Sequence, residues 1–347
     1  MPERLEEVAL RIAAQRWLAW EDFELNVSID RPATVGFVAP FEPERPGFRE
    51  AFAPLAFTPV SVSIGEEVVF NGTLVDITPR RTSDERTVEV AGYSFPAVLV
   101  DCTPPANAFP LELNGLKLSR IAETLVAPFG LDVVLEGDEG AAFRRVAVKP
   151  DQAIFSFLTE LAQQRGLVIA DTPSGAIRFL TSAASGSPVA ALRENQPPLL
   201  SVEPRFAPQQ YFSEVTAIAK TRAGRTGQSY TVANPFLTNE VRPHTFVLGD
   251  TDDPDLPTAA RAKLGRMLGN ALTVTVELPT WRHPGGALWW PNQTILLEAP
   301  GAMIYRETEF LIRDVSLRQT AEAQIAKLEV VLPGAFSGEV PESLPWV

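Results

Sequence analysis

Residues 281–299 read WRHPGGALWWPNQTILLEA, the most patterned stretch of the chain. Pro284, Gly285 and Gly286 cannot sit inside a helix, so they mark a turn. Leu288-Trp289-Trp290 is a short apolar burst closed by Pro291-Asn292, and residues 293–298, rich in Ile and Leu, then read as a strand. Just upstream, residues 271–278 (ALTVTVEL) alternate apolar side chains with Thr and Glu, the period-two signature of a half-buried strand. The order is strand, glycine turn, aromatic plug, strand. On local grounds the commoner reading is a loop packed on its own sheet.

The whole composition agrees with a strand-based fold. Among 347 residues, 31 Pro and 22 Gly are interruptions that favour many short strands over long helices. With 45% hydrophobic and 21% charged residues the chain can bury a real core, and its length suffices for two or three domains. A formal net charge of -13 argues against a surface that grips nucleic acid through clustered Lys and Arg. It is compatible with an acidic wall past which DNA slides without sticking. A single cysteine, Cys102, rules out an intrachain disulfide and a cysteine-based zinc site, and with only His244 and His283 a His-rich metal centre is not expected. No run of about 18 apolar residues occurs and the first residues lack a signal-peptide layout, so a soluble chain made in a cytoplasm is expected.

Working outward, residues 5–12 fit both a helical spacing (Leu5, Val8, Ala9, Ile12) and an alternation (Val8, Leu10, Ile12), and the alternation that resumes over 23–29 favours a strand from Val8; 36–39 is a further short strand candidate, and 60–64 with 68–70 read as a hairpin around Gly65-Glu66-Glu67. Asn71-Gly72 reads as a second turn leading into 73–78, and 87–91 is the next strand. Residues 1–100 thus read as a first β-barrel-like unit. The pattern changes after Asp101-Cys102-Thr103-Pro104-Pro105. In 119–129 the residues Ile121, Leu125 and Phe129 share one helical face, Gly130 stands where a C′ glycine would, and 131–135 follow as a strand. The same step recurs. Asp151 is placed to cap a helix whose apolar face is Ile154, Phe155, Leu158 and Leu161; Gly166 ends it, and 167–170 is a strand. Thr172-Pro173-Ser174-Gly175 then turns that strand into 176–180. Residues 101–182 therefore read as a small α/β unit.

Residues 183–199, containing AASGSP and RENQPP, read as a linker. Strands return at 200–206 and 211–221, followed by a polar loop tip at 222–227. An acidic loop, 250–255, leads to a helix over 258–270 with Leu264, Met267 and Leu268 on one face, and 310–317 with 325–332 form a last hairpin around 319–323. Residues 200–335 read as a second β-barrel unit with one inserted helix, and 336–347 as a tail. The expected class is mainly β with an α+β insertion: two similar β units flanking a small α/β unit, a duplicated barrel that no letter-by-letter repeat proves.

No catalytic constellation is legible. An EF-hand loop wants an oxygen ligand, a glycine and a glutamate where the 250–255 run and its sequel place Pro254, Asp255 and Arg261; its acids fit a helix N-terminus better, where the dipole favours them. Cys102 has no basic or imidazole neighbour in sequence and reads as a buried, inert thiol. His283 reads as a solvated turn residue rather than a ligand, and His244 has no partner at metal spacing. Phosphate loops, G-x-S-x-G elbows and H-E-x-x-H runs are missing, and the carboxylates are too scattered to single out an acid/base pair. No catalytic residue, metal or cofactor is expected. The six tryptophans raise the alternative of a sugar platform, but core or interface packing is their commoner fate in a strand-rich protein.

Several segments carry a resemblance. They are the exit Leu99-Val100-Asp101-Cys102, the helix-Pro-aromatic-Gly step from Ile121 to Pro128-Phe129-Gly130, and the hairpin from Asp171 through Gly175 into 176–179. Trp281 followed by Gly286-Ala287-Leu288-Trp289-Trp290-Pro291-Asn292 is the most specific of them, and Leu332-Pro333 and Pro345-Trp346 close the set. In this order and spacing they resemble the baseplate hub proteins of contractile-tailed phages of the Mu type, which are related to the late control protein D group and to the hub portion of type VI secretion spikes. The Pro-rich loop 40–59 and the tail after Pro333 depart from that pattern.

The resemblance implies a non-enzymatic homotrimer. Each chain supplies two similar tube-like β-barrels, so three copies present six barrels in a ring that matches the six-fold tail tube protein on one side and the trimeric central spike protein on the other. Other baseplate proteins surround it, DNA passes through its channel without specific binding, and no membrane contact is involved. The implied location is the virion tail baseplate, after assembly in the host cytoplasm. On the same footing, Trp281, Gly286, Leu288, Trp289, Trp290, Pro291 and Asn292 are expected to brace the second barrel close to a subunit boundary. The alternatives are the same hub in a phage-derived injection particle (tailocin or type VI-like) and, from another class, a glycan-binding protein or a cell-envelope hydrolase, the latter needing paired carboxylates about 5–10 Å apart.

Overall fold

The computed structural model describes residues 5–111, 113–144, 146–183, 186–219, 227–248 and 256–346. Seven strands open the chain: β1 (Val8–Ile12), β2 (Gln15–Trp17), β3 (Asp22–Ser28), β4 (Thr34–Pro40), β5 (Pro59–Ile64), β6 (Glu67–Arg81) and β7 (Arg86–Ser94). A one-turn helix, α1 (Phe48–Ala51), stands between β4 and β5. The alternation read from sequence is the burial pattern observed: Phe23, Leu25 and Val27 of β3 and Val35, Phe37 and Ala39 of β4 all face the core. Asn71-Gly72 is not a turn; β6 runs straight through it. Asn71 Nδ2 donates to Pro173 O at 2.7 Å, and a Cβ on Gly72 would lie 2.0 Å from Tyr93 O. The pair therefore marks a close backbone approach inside a strand.

The middle of the chain forms its own unit. It comprises α2 (Val98–Asp101), α3 (Leu118–Val126), β8 (Val133–Glu136), α4 (Ile154–Gln164), β9 (Leu167–Asp171) and β10 (Ile177–Thr181). Its strands lie in the order β8-β10-β9, with β8 parallel and β9 antiparallel to β10. Both helix–Gly–strand steps are present, with Gly130 and Gly166 in the left-handed region at φ 66° and 68°. Cys102, just after α2, is half-buried rather than buried, and two details of α4 also differ from expectation. Ala153, without a side-chain cap, precedes α4, so Asp151 does not cap it; and Phe157 rather than Phe155 completes the buried face with Ile154, Leu158 and Leu161.

The remainder holds β11 (Ala191–Arg193), β12 (Ser201–Phe206), β13 (Glu214–Ala219), β14 (Ser229–Ala233), β15 (Pro243–Leu248), α5 (Leu256–Ala271), β16 (Leu272–Leu278), β17 (Thr294–Ala299), β18 (Ile304–Thr320), β19 (Gln324–Val331) and α6 (Gly334–Ser337). Residues 183–199 are more than a linker, because β11 pairs in parallel with β17. Within 200–335, β14-β13-β15 form a separate small sheet covered by α5, with Val215, Leu264, Met267 and Leu268 in its core. The acidic loop 250–255 and residues 222–226 of the polar loop lie outside the described residues.

The largest sheet has thirteen strands and runs β12-β16-β19-β18-β3-β4-β7-β6-β5-β1-β2, with β17 on β18 and β11 on β17. It joins both ends of the chain, since β18 pairs antiparallel with β3 and places Val315 opposite Val27. One continuous hydrophobic core follows that path, from Val8 and Phe23 to Leu328 and Leu344. The protein is therefore mainly β, and its first and last strands complete one another.

Candidate functional site

The 281–292 loop leaves β16, turns and returns as β17. The turn closes by Gly286 N–H donating to His283 O at 2.8 Å and His283 N–H to Ala287 O at 3.0 Å, with Gly286 at φ 86°. Only glycine adopts that conformation at little cost. Below the turn, Arg282 and Leu288 form a bridge, and Trp289 N–H donates to Trp281 O at 2.9 Å. The two long side chains are thereby aimed inward. Trp281 and Trp289 are completely buried, and each indole finds the partner that burial demands: Trp281 Nε1 donates to Ile325 O at 3.0 Å and Trp289 Nε1 to Thr280 O at 3.1 Å.

The loop reaches beyond its own strands. Trp281 packs on Phe23 of β3, and Arg282 Nε donates to Glu6 Oε1 at 2.7 Å, so both rings and charges tie it to the first strands. That hydrogen bond, with Glu67 nearby, raises the Arg282 pKa further above its ordinary value. At its far end Asn292, at φ 70°, accepts from Ala183 N–H at 2.8 Å through Oδ1 and donates its own N–H to Ile312 O at 2.9 Å. Pro291 is buried, and Trp290 is half-buried against the core. Leu288 is buried and Gly286 exposed at the apex. His283 is not simply solvated: its ring stands edge-on to Trp289, its Nδ1 accepts from Gly285 N–H at 3.0 Å, and burial lowers its pKa.

A second set of contacts, which sequence reading missed, docks the α/β unit onto the first strands. Asp171, at the end of β9, accepts from Ala33 N–H at 3.0 Å, and burial raises its pKa against the opposing pull of its hydrogen bonds and Arg178. With Asn71 and Pro173 it lines a seam that also includes Trp290 and encloses about 10 Å³, room for about one water and no ligand. The only signal in sequence was a polar residue, Asp171, at the end of an apolar strand. Together the tryptophan loop and this seam tie the strands before β17 and the helices and strands around Asp171 to the first strands of the chain. Among the described residues no group of three or more His, Cys, Asp or Glu is placed to hold a metal ion. His244 instead stacks on Phe212 at 4.6 Å, and among the described residues no helix is long and apolar enough to cross a membrane.

Residues 96–181 match the family described as baseplate hub protein gp44-like, second domain. The chain is similar to the baseplate hub protein gp44 of Escherichia phage Mu, 25% identical over 272 residues that span 74% of this chain and 70% of that protein. Among solved structures it shares the fold of the 43 kDa tail protein of prophage MuSo2 from Shewanella oneidensis, with a TM-score of 0.82 at 21% identity over 95% of this chain and 99% of the other. A tail protein from Neisseria meningitidis MC58 superposes equally well, 0.82 at 19% identity over 97% and 99%. The resemblance to Mu-type baseplate hub proteins read from the sequence holds.

Proposed function

We propose that the chain is the structural hub of a contractile-tail baseplate, a homotrimer in which two similar β-barrel units per copy make a six-unit ring. The ring joins a six-fold tail tube to a trimeric central spike and forms part of the channel through which DNA leaves. The role is structural, with no reaction to catalyse, and its place is the virion tail after assembly in the host cytoplasm.

One observation carries the reading beyond family likeness. The antiparallel strand order β3-β4-β7-β6-β5 is repeated as β12-β16-β19-β18-β17, and the strands beyond differ in sense, β1 running antiparallel to β5 and β11 parallel to β17. In both, the long fourth strand carries a bulge against the third, between Leu74 and Asp76 in β6 and between Ile312 and Asp314 in β18. Just past the bulges Ile77 faces Val90 and Val315 faces Leu328. Two strands further on, Thr34-Val35 and Thr273-Val274 occupy matching rungs against Tyr93-Gly92 and Val331-Val330. Two copies of one strand plan in a single polypeptide supply what a three-fold object needs to present six equivalent faces. The units differ by their insertions: α1 with its Pro-rich loop in the first, the tryptophan loop and the β13–β15 sheet with α5 in the second.

Polymerised tail tube protein from the same genome tests this reading. Purified hub should cap tube ends with one trimer per end, and it should leave peptidoglycan intact in a clearing assay. Failure to bind tubes together with peptidoglycan clearing would transfer the chain to the hydrolase class.

A further inference from the structure

The pairing of β18 with β3 is a joint between the second strand plan and the first, and the rest of the sheet shows what the next joint requires. Ile29 N–H donates to Arg313 O at 2.9 Å, so odd-numbered residues of β3 bond to β18 and the rungs Val27–Val315, Leu25–Leu317 and Phe23–Gln319 are the hydrogen-bonded ones. Each plan has a counterpart of this joint's missing half. Matching the plans by their pairing registers places Ile77, Thr78, Pro79 and Arg80 of β6 where Val315, Ser316, Leu317 and Arg318 lie in β18. The same matching places Val202, Glu203, Pro204 and Phe206 of β12 where Phe23, Glu24, Leu25 and Val27 lie in β3. Yet among the described residues no strand pairs with the outer edge of β6 beyond Thr73, and β12 pairs only with β16.

We propose that successive copies of the chain are joined by antiparallel pairing of the outer edge of β6 with the outer edge of β12, Ile77 opposite Phe206, Thr78 opposite Arg205, Arg80 opposite Glu203 and Arg81 opposite Val202. The inference rests on the trimeric-hub reading and specifies its contact. Burial supports it: Val315, Phe23 and Val27 are 1%, 0% and 5% exposed, whereas their counterparts Ile77 and Val202 are only half-buried at the rim of the same core and Phe206 is 38% exposed. Polar chemistry supports it too. At the internal joint Ser316 Oγ donates to Glu24 at 2.8 Å beside Arg318; the free edges hold the same trio, with Thr78 and Arg80 on one and Glu203 on the other.

The prolines fit the register. Thr82 N–H donates to Glu85 O, so Ile77, Pro79 and Arg81 point their backbone groups outward; Ala207 N–H donates to Ala271 O, so Pro204 does likewise. Pro79 and Pro204 fall on one rung, which confines the lost bonds to that rung and leaves the rungs either side intact. Until a matching edge arrives, the same prolines discourage indiscriminate pairing.

Arg80 and Glu203 would form a non-hydrogen-bonded rung, where Cα atoms approach to about 4.5 Å, within the roughly 4.4–6.8 Å that a disulfide spans. The test uses the full chain carrying Cys102→Ser with Arg80→Cys and Glu203→Cys, oxidised with glutathione disulfide. The proposal expects a covalent trimer on non-reducing gels, absent from either single-cysteine variant and at least about tenfold weaker for the off-register pair Thr78→Cys with Glu203→Cys. Native mass of the reduced proteins checks that the substitutions leave assembly intact. A trimer by native mass that never crosslinks, or crosslinks equally off register, overturns the pairing and leaves the hub reading standing. A chain that stays monomeric overturns both.

Discussion

The ring of Trp281 lies 6.1 Å from that of Phe23, tilted by 48°, with neither residue exposed. This contact fastens the loop of the last β unit to the first long strand. Trp281→Ala should lower unfolding free energy by about 3–5 kcal/mol, the usual cost of emptying a large aromatic site. Trp281→Phe keeps most of the packing but leaves Ile325 O without its donor, and should cost about 1–3 kcal/mol. Urea unfolding midpoints of the two variants check the order.

Asn292 combines a left-handed backbone with an accepting side chain. Asn292→Gly retains the first and loses the second, so about 1 kcal/mol should go. Asn292→Ala loses both and should cost about 1 kcal/mol more. Equal effects in chemical unfolding would show that the backbone conformation carries no weight.

Gly269 of α5 packs so closely on α6 that a Cβ would lie 2.2 Å from Ala335 Cα. Gly269→Ala must therefore push the two helices apart despite its better helix propensity, with a net loss of about 1–3 kcal/mol. Thermal unfolding reads it directly; a gain in Tm would contradict the close approach.

Glu139 accepts from Ser119 N–H at 2.8 Å in the first turn of α3 and stands 3.5 Å from Lys117 Nζ. Burial pushes its pKa up, but those partners outweigh it and hold the folded value below the ordinary 4.5. A depressed folded value means that its stabilisation is complete above the unfolded pKa and lost as pH falls through the folded one. The stability gap between the native chain and Glu139→Gln, about 1 kcal/mol at neutral pH, should accordingly close on acidification below about pH 4. A gap that widens instead would reverse the assigned sign.

Much of this architecture is legible in the residues alone. Alternation in β3, β4, β16 and β19 marked core faces because each strand buries one side only, and Gly130 and Gly166 marked helix ends because few other residues adopt their φ. The seven-residue loop signature pointed to a buried plug, and Trp289 is one. What stayed hidden depends on distant partners. Asn71-Gly72 has the letters of a turn and the surroundings of a strand, and only Tyr93 and Pro173 decide between them. The short strands β14 and β15, SYTVA and PHTFVL, escaped notice because they are half-exposed edges of a small sheet with weak apolar contrast. The repeated strand plan left its trace in pairing registers and bulges rather than in letters, so a search for repeated residues could not find it.

The central claim is that three copies with two strand plans each close into a six-unit ring. Native mass measurement with negative-stain imaging of the purified full chain tests it most directly. The account predicts three times the 37.8 kDa chain mass and a ring with a central hole, showing three-fold symmetry with six similar lobes. A monomer, or a closed assembly with any other number of copies, would contradict it.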